Sequence, residues 1–444
     1  MYKALTIAGL DTGGGAGIIA DIKTFSSLGV WGMAVITSVT AQNTVGVYGI
    51  EDVSIEMIRS QIRAVIEDIG VDAAKTGMLH TGAIVRTVAE EALDYGLPLV
   101  VDPVMVAKSG ASLMGSDARD VLVGKLIPIA HIVTPNIPEA EVITGRKIST
   151  IDDMEKAAAY IVEELGCNAA VVKGGHLSSE EPIDVLYYNG KYWHFKAPRI
   201  LTKNTHGTGC TYSAAITAEI AKRKSIPEAV ELAKKFTYLA IMYGIDLGHG
   251  NGPVNHMAWL FRQANKYEVI EEIKHALKTI DSNEKYSILV PEVGMNIALA
   301  NKFALDKHDV AAIPGRIRRM NNRAQACGCP EFGASKHLAS YIMTARQYNK
   351  KIRAAVNIKY SEDFLKKLSE LGLTISFYDR TEEPGEIKDK EGMTIPWGTK
   401  VAIERVGKVP DVIYHKGDIG KEPMIVILGE DLFRILKVLD KIVD

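Results

Sequence analysis

Short apolar runs that each end in a polar or glycine-rich cluster recur along this chain, and they constrain its fold more than any other feature. Ala4-Leu5-Thr6-Ile7-Ala8 closes on Gly9-Leu10-Asp11, Met33–Val39 on Thr40-Ala41-Gln42-Asn43-Thr44, and Ala73–Thr76 on Gly77-Met78. Leu99–Val101 closes on Asp102-Pro103, His131–Thr134 on Pro135-Asn136-Ile137-Pro138-Glu139, and Ala169–Val172 on Lys173-Gly174-Gly175-His176. Helical periodicities separate them, as at Ile18, Ile22, Phe25 and Leu28 before Gly29, from Ser54 to Ile69 and from Ile84 to Tyr95. Short strands that are apolar throughout and alternate with amphipathic helices pair in parallel and are covered on both faces. The pattern predicts an α/β fold with a central, mostly parallel sheet flanked by helices, whose ligands gather at the carboxyl ends of the strands.

One later stretch is built for an anion. In Asn204-Thr205-His206-Gly207-Thr208-Gly209-Cys210-Thr211, two glycines bracket Thr208 and a helical run follows from Thr211 to Ala221. Such a turn presents successive N–H groups to an oxyanion at the positive end of a helix, where a phosphoryl group in transfer sits well. Gly9 to Gly17 looks like a dinucleotide fingerprint, but no acidic residue closes the second strand, so a loop that closes over a small substrate explains the glycines better. Asn136 and Glu139, three residues apart after a strand, suit a magnesium ion held through its waters, and Lys173 suits nucleotide phosphates. The plainer alternatives are a turn residue for Asn136, a helix-start charge for Glu139 and a solvated strand end for Lys173. Asp102 stands at one of the same strand ends.

At 444 residues the chain exceeds what one hydrophobic core usually supports, which predicts two or more domains. No apolar run approaches the ~20 residues that span a bilayer, and the chain opens directly on a strand, so a cytoplasmic protein is expected. The four cysteines are too few and too badly spaced for a disulfide framework or a four-ligand zinc site. Residues before Glu284 carry 26 Lys+Arg against 32 Asp+Glu, and those from Glu284 on carry 26 against 22. That asymmetry is too mild for nucleic acid but suits a second half that binds small phosphorylated compounds.

An amphipathic helix from Tyr267 to Ile280, with Val269, Ile270, Ile273, Ala276, Leu277 and Ile280 on one face, marks the joint. The expected division is a first domain over 1–262, a helical linker over 263–284 and a second, smaller α/β domain over 285–444. Strands are expected there at Tyr286–Val290, Val310–Ile313, Ala354–Ile358, Thr374–Phe377, Val412–Tyr414 and Met424–Leu428, with a last helix from Leu432 to Val443. Its polar residues concentrate in Pro314-Gly315-Arg316-Ile317-Arg318-Arg319-Met320-Asn321-Asn322-Arg323 and Gly333-Ala334-Ser335-Lys336-His337. Four arginines in eight positions suit phosphates, and Ser335 suits the cap of a helix that carries Lys336 and His337 at its positive end.

Seven segments of the first half, in order, resemble the hydroxymethylpyrimidine/phosphomethylpyrimidine kinases of thiamine biosynthesis, a branch of the ribokinase-like family. They are Ala8–Asp11 with Gly14–Gly17, Thr40–Thr44, Gly77-Met78-Leu79, Asp102–Gly110, Thr134–Ala140, Lys173–His176 and the octet at 204–211; Thr12-Gly13 departs from the Pro-Ser of many relatives. The resemblance implies two ATP-dependent phosphorylations of an aminopyrimidine. It places Asp21, Gln42 and Met78 on the pyrimidine, Asn136 and Glu139 on Mg²⁺, and Asp102, Lys173 and Thr208 with them around ATP. The Gly207–Gly209 turn then stabilises the transferred group, and Cys210 stands where sugar kinases of the wider family have an aspartate base. A thiol at a helix N-terminus is expected to have a depressed pKa; the alternative is a small buried hydrophobe.

The second half resembles the archaeal-type thiamine-phosphate synthase domain, through the arginine-rich and Ser335-Lys336-His337 stretches with Val290–Gly294 and Gly417–Pro423. That implies condensation of the pyrimidine diphosphate with hydroxyethylthiazole phosphate, with Arg316 on the departing pyrophosphate and His337 on phosphate oxygens. Arg318, Arg319, Asn321 and Lys336 are the further substrate-binding candidates, and a homo-oligomer, most simply a dimer, is expected. Two other functions fit less well: a ligand-sensing regulator in the second half, and a pyridoxal-type vitamin kinase in the first.

Overall fold

The computed structural model describes residues 1–106, 110, 113–177, 181–388, 390–418 and 420–444; residues 107–109 of the motif after Asp102, and Ile419 of the 417–423 motif, lie outside it. Two units result, Met1–Leu260 and Phe261–Asp444. Among the described residues, no helix is long and apolar enough to cross a membrane.

The first unit holds strands β1 (Lys3–Asp11), β2 (Trp31–Gln42), β3 (Val47–Asp52), β4 (Ala73–Thr76), β5 (Leu99–Val101), β6 (Ile132–Val133), β7 (Ala169–Val172), β8 (Ile183–Tyr188) and β9 (Lys191–Lys196). Their order is β3-β2-β1-β4-β5-β6-β7-β8-β9. The six from β2 to β7 run parallel, while β3 at one edge and β8 and β9 at the other are antiparallel. Alternate residues of one strand enter different cores: Leu5, Ala74, Leu99 and Val101 pack with helices Ile55–Asp68 and Gly82–Asp94, and Ala4, Ala73 and Val100 pack with helices Thr208–Ala221 and Ile226–Met242. The sheet is thus covered on both faces, as the apolar runs require. The edge strands β3 and β9 escaped the sequence reading because their residues are half-buried or exposed, in place of forming an apolar run.

The second unit is also α/β, but its sheet is mainly antiparallel. Its strands are β10 (Asn296–Ala300), β11 (Val310–Ala312), β12 (Ile317–Met320), β13 (Arg323–Ala326), β14 (Glu331–Phe332), β15 (Ala354–Lys359), β16 (Ile375–Phe377), β17 (Val412–His415) and β18 (Met424–Gly429). Seven form a sheet in the order β14-β11-β10-β15-β18-β17-β16, and β12 and β13 form a separate hairpin. Only β16 and β17 pair in parallel there.

One expected strand fails. The strand expected at Tyr286–Val290 is a 3₁₀ turn, Glu284–Leu289, because Tyr286 and Leu289 are both buried three residues apart and the Tyr286 hydroxyl donates to Asp440 Oδ1 at 2.7 Å. The amphipathic helix expected over Tyr267–Ile280 is present within the longer helix Ala258–Ser282. Val269, Ile273, Ala276 and Ile280 on that helix are at most 2% exposed and join Leu432, Ile435 and Leu439 in the second core.

A fragment that starts at Lys285 therefore loses those four residues. Burial of each valine or isoleucine contributes about 1.5–3 kcal/mol, and the sum for three rivals the roughly 5–15 kcal/mol that keeps a domain folded. Residues 261–444 are expected to melt in one cooperative transition by circular dichroism, whereas residues 285–444 show none. A cooperative melt of the shorter fragment at a similar temperature returns the helix to the status of a linker.

Candidate functional site

Loops after six strands of the first sheet surround a cavity of ≈ 810 Å³, lined among others by Asp11, Gln42, Met78, Asp102, Asn136, Glu139, Lys173 and Gly207 to Cys210. The chain enters the helix Thr208–Ala221 through Gly207, whose φ is +79°. A Cβ there would lie 1.8 Å from the Gly15 carbonyl oxygen, so only glycine fits. At Gly209 a Cβ would meet ordinary contacts, 3.6 Å from Lys173 Nζ and 3.7 Å from Asp102 Oδ2. The tight turn therefore depends on Gly207 alone, and Gly209 brings the first helical turn up to a charged pair. Thr208 Oγ1 donates to the Thr205 carbonyl at 2.7 Å and braces that turn.

Asp102 is the hub of the pair. Its carboxylate accepts from Lys173 Nζ at 3.1 Å, Thr134 Oγ1 at 3.2 Å and Ser213 Oγ at 3.1 Å. Burial disfavours the Lys173 charge, but Asp102 and Glu139 outweigh it and push the ammonium pKa up. Lys173 is consequently a fixed cation inside the cavity, and the solvated strand end is excluded.

Asn136 and Glu139 form a capping box at the start of helix Ile137–Thr144. Asn136 Oδ1 accepts from Glu139 N at 2.9 Å, and Glu139 Oε2 accepts from Asn136 N at 2.8 Å. The helix-start reading thus holds for both, and both also line the cavity. Burial drives the Glu139 carboxyl up to about 7; Asp102 adds to the shift and Lys173 opposes it.

Cys210 and Asp21 depart from expectation. The Cys210 thiol is pushed up, to about 12, not depressed: burial is the largest cause, and the lowering by Lys75 is opposed by the carboxylates of Asp21 and Asp102. Desolvation defeats the helix end here. Asp21 does not line the cavity; it is fully buried, accepts from Thr6 Oγ1 at 2.7 Å, and both its oxygens lie 2.9 Å from Lys75 Nζ. Of the three expected pyrimidine contacts, Gln42 and Met78 do line it.

The second unit has its own cavity, of ≈ 570 Å³, lined by Arg316, Arg318, Ser335, Lys336 and His337 among others. Ser335 Oγ accepts from Leu338 N at 3.3 Å and caps helix Lys336–Tyr348, so Lys336 and His337 occupy its first turn as expected. Arg318 and Arg319 are neighbours on β12, so their side chains leave opposite faces. Arg318 therefore lines the cavity and Arg319 does not, pairing instead with Asn322 Oδ1 at 3.3 Å. Asn321 does not line it either: with φ of +50° beside Asn322 at +60°, it makes the tight turn between β12 and β13. Burial, then Arg316, Arg380 and Lys421, push the His337 pKa down, and His415 falls to about 4 through burial, Arg380 and His337.

Sequence reasoning passed over Lys75, His206, Ser213, Arg380 and His415. Lys75 carried a signal, a lone charge in the otherwise uncharged Ala73-Ala74-Lys75-Thr76. The roles of Ser213 and Arg380 depend on partners 111 and 43 residues away, and nothing local announces them.

A family model described as Phosphomethylpyrimidine kinase matches residues 11–255, and one described as Thiamine-phosphate synthase ThiN matches residues 272–441. The hydroxymethylpyrimidine/phosphomethylpyrimidine kinase of Bacillus subtilis is 48% identical over 261 residues, covering 58% of this chain and 96% of that protein. A crystal structure of phosphomethylpyrimidine kinase from Clostridium difficile matches with a TM-score of 0.50 and 45% identity, over 54% of this chain and all of that one. The ADP complex of a Bacillus subtilis pyridoxal kinase matches with a TM-score of 0.54 and 39% identity, over 58% of this chain and 97% of that one.

Glu139 should govern stability as well as binding. With a folded pKa of about 7 against an ordinary 4.5, the folded chain keeps a proton that the unfolded chain has lost, so stability falls as pH rises across that window. Glu139→Gln keeps the cap and removes the titration. The melting temperature of the variant minus that of the wild type, without ligands, is expected to increase from pH 5 to pH 8, and a constant difference refutes the shift.

Proposed function

The chain belongs to the phosphomethylpyrimidine kinase family, and we propose that it makes thiamine phosphate in three steps in two cavities. In the first, ATP phosphorylates 4-amino-5-hydroxymethyl-2-methylpyrimidine to the monophosphate and then to the diphosphate. In the second, a thiamine-phosphate synthase joins the diphosphate to hydroxyethylthiazole phosphate and releases pyrophosphate. The observation that carries the first reading is the meeting, in one cavity, of Gln42 and Met78 with a helix-start turn that faces Lys173 and Asp102.

In each phosphorylation an oxygen of the pyrimidine compound bonds to the γ-phosphorus of ATP as the bond to ADP breaks. The N–H groups that follow Gly207 and the Lys173 ammonium meet the charge on the transferred group, and Thr208 keeps the turn closed. Glu139 and Asn136 would hold a divalent cation: both line the cavity beside Asp102, and burial, which pushes the Glu139 carboxyl up, disfavours its charge until a cation is present to offset it. Mg²⁺ held there would neutralise phosphate charge. Cys210 rests as a thiol at neutral pH, so it receives the hydroxymethyl proton only in the small fraction of chains whose thiol has already released its own proton to solvent.

In the second cavity, Arg316, Arg318 and Lys336 hold the pyrophosphate as the carbon–oxygen bond of the pyrimidine methylene breaks and the thiazole nitrogen bonds to that carbon. A His337 with a lowered pKa begins neutral, able to accept a proton or orient an oxygen. We further propose that the chain works as a homodimer in the cytoplasm.

Two experiments test these roles. Thiolate rises tenfold per pH unit well below a pKa of about 12, so kcat for the first phosphorylation is expected to climb from pH 6 to 9, and Cys210→Ala to lower it roughly 10²–10⁴-fold. A flat profile and an active Cys210→Ala remove Cys210 as the base. Arg316→Ala should leave both phosphorylations near normal while pyrimidine diphosphate accumulates, as followed by mass spectrometry. Normal thiamine phosphate output from that variant takes Arg316 out of the synthase site.

A further inference from the structure

We infer that His206 is a positioning residue for phosphoryl transfer, which with Asp11 locks the substrate loop after β1 to the anion turn before helix Thr208–Ala221. This rests on the kinase reading but assigns a role to two residues that the mechanism above does not use.

The two side chains lie 195 positions apart in sequence, and His206 Nε2 stands 2.9 Å from Asp11 Oδ2. Both are almost fully buried and both line the first cavity. Asp11 also accepts from Gly13 N at 2.8 Å, Gly15 N at 3.1 Å and Ala16 N at 2.8 Å, so its carboxylate shapes the whole glycine loop. His206 is fixed from behind by a third segment, its N–H donating to the Gly252 carbonyl at 3.0 Å and its carbonyl accepting from Val254 N at 3.2 Å. The next residue is Gly207.

The two loops touch closely enough to require glycine on both sides. A Cβ on Gly15 would stand 2.5 Å from His206 Cδ2, and one on Gly207 would stand 1.8 Å from the Gly15 carbonyl oxygen. Packing of that kind sets the spacing but leaves sliding open, and one directed bond from His206 to a carboxylate that already gathers three N–H groups closes it. An ionised carboxylate only accepts, so His206 Nε2 carries the hydrogen. The loop bounds the cavity where Gly9, Leu10, Ala16 and Gly17 line it, and the turn bounds it where the phosphoryl group is transferred. Each substrate keeps its own contacts when the bond is lost, but the reacting atoms lose their register. A misplacement of about 1 Å costs on the order of 10²-fold in rate.

The test uses the full chain with three variants at 206. His206→Leu keeps bulk and removes the donor, His206→Gln keeps a donor that reaches Asp11, and His206→Asn keeps polarity but falls short. Condensation of supplied pyrimidine diphosphate with thiazole phosphate is the internal control. The expected result is a kcat for the first phosphorylation lowered roughly 30-fold or more in the Leu and Asn variants, with KM for ATP and for the pyrimidine within about threefold. His206→Gln should recover to within about fivefold of wild type, and condensation should stay unchanged in all three. If Leu, Asn and Gln are equally impaired, or KM rises while kcat holds, the residue is merely structural and the inference falls; it falls also if kcat is unchanged throughout. Should the Leu variant not fold, the Gln and Asn pair decides alone. A wild-type chain that phosphorylates no aminopyrimidine overturns the kinase reading and this inference with it.

Discussion

A single buried carboxylate, Asp102, draws the first cavity together. It ends β5, yet its oxygens take hydrogen bonds from the ends of β6 and β7, through Thr134 and Lys173, and from Ser213 on helix Thr208–Ala221. A charge 2% exposed is retained only where such bonds replace its lost hydration. Those bonds have a geometric result. Two parallel strand ends and the helix that carries the anion turn converge within hydrogen-bond length of one group. The cavity is thus built by satisfying a buried charge, and the Lys173 ammonium is aimed at the helix start by the same bond that keeps it ionised.

Charge also separates the two cavities. In the first, acids and bases interleave: Glu139 and Asp102 face Lys173, and the buried Lys75–Asp21 pair is felt by Cys210. Burial first, and then Asp21 and Asp102, raise the Cys210 thiol against the pull of Lys75, which explains why a helix start fails to produce a resting thiolate. The second cavity is lined by three cations and a histidine, and Arg380 and Lys421 add positive charge to His337. Among the described residues no carboxylate lines it. An acid-free lining favours a ligand that brings its own negative charge, as a diphosphate does.

The parallel strands of the first unit were legible because apolar runs ending in polar clusters leave few alternatives, and the clusters fell at one sheet edge for the same reason. The interior strand β10 of the second unit was not: Asn296-Ile297-Ala298-Leu299-Ala300 has a single β-branched residue, and its position comes from pairing with β11 and β15. Site residues divide along a similar line. Lys173, Arg318 and His337, singled out by type and position, and Gln42 and Met78, implied by the family resemblance, each line a cavity. Asp21 and Arg319 were misjudged because residue type does not show which way a side chain faces. Asp21 meets Lys75 from 54 positions away, and Arg319 is one residue out of step with the cavity face of β12. Cys210 lines the cavity, but its acidity was misjudged, since burial outweighs the local helix end.

A left-handed backbone residue stands in the wall of each cavity. Gly207 takes a left-handed φ without cost, but Arg316 takes one of +71° with a full side chain. Such a conformation costs on the order of 1 kcal/mol or more in a non-glycine residue and persists only where its surroundings over-determine it. They do so here. Met295 and Ile317 exchange both backbone hydrogen bonds at 2.9 and 2.7 Å, Cys327 N donates to the Arg316 carbonyl at 2.9 Å, and Arg316 Nη1 donates to the Val293 carbonyl at 2.5 Å. A glycine would relax the backbone and satisfy the same main-chain bonds. The guanidinium is thus held at the cavity wall by a backbone that a glycine would relax, which supports the role proposed for it on the departing pyrophosphate.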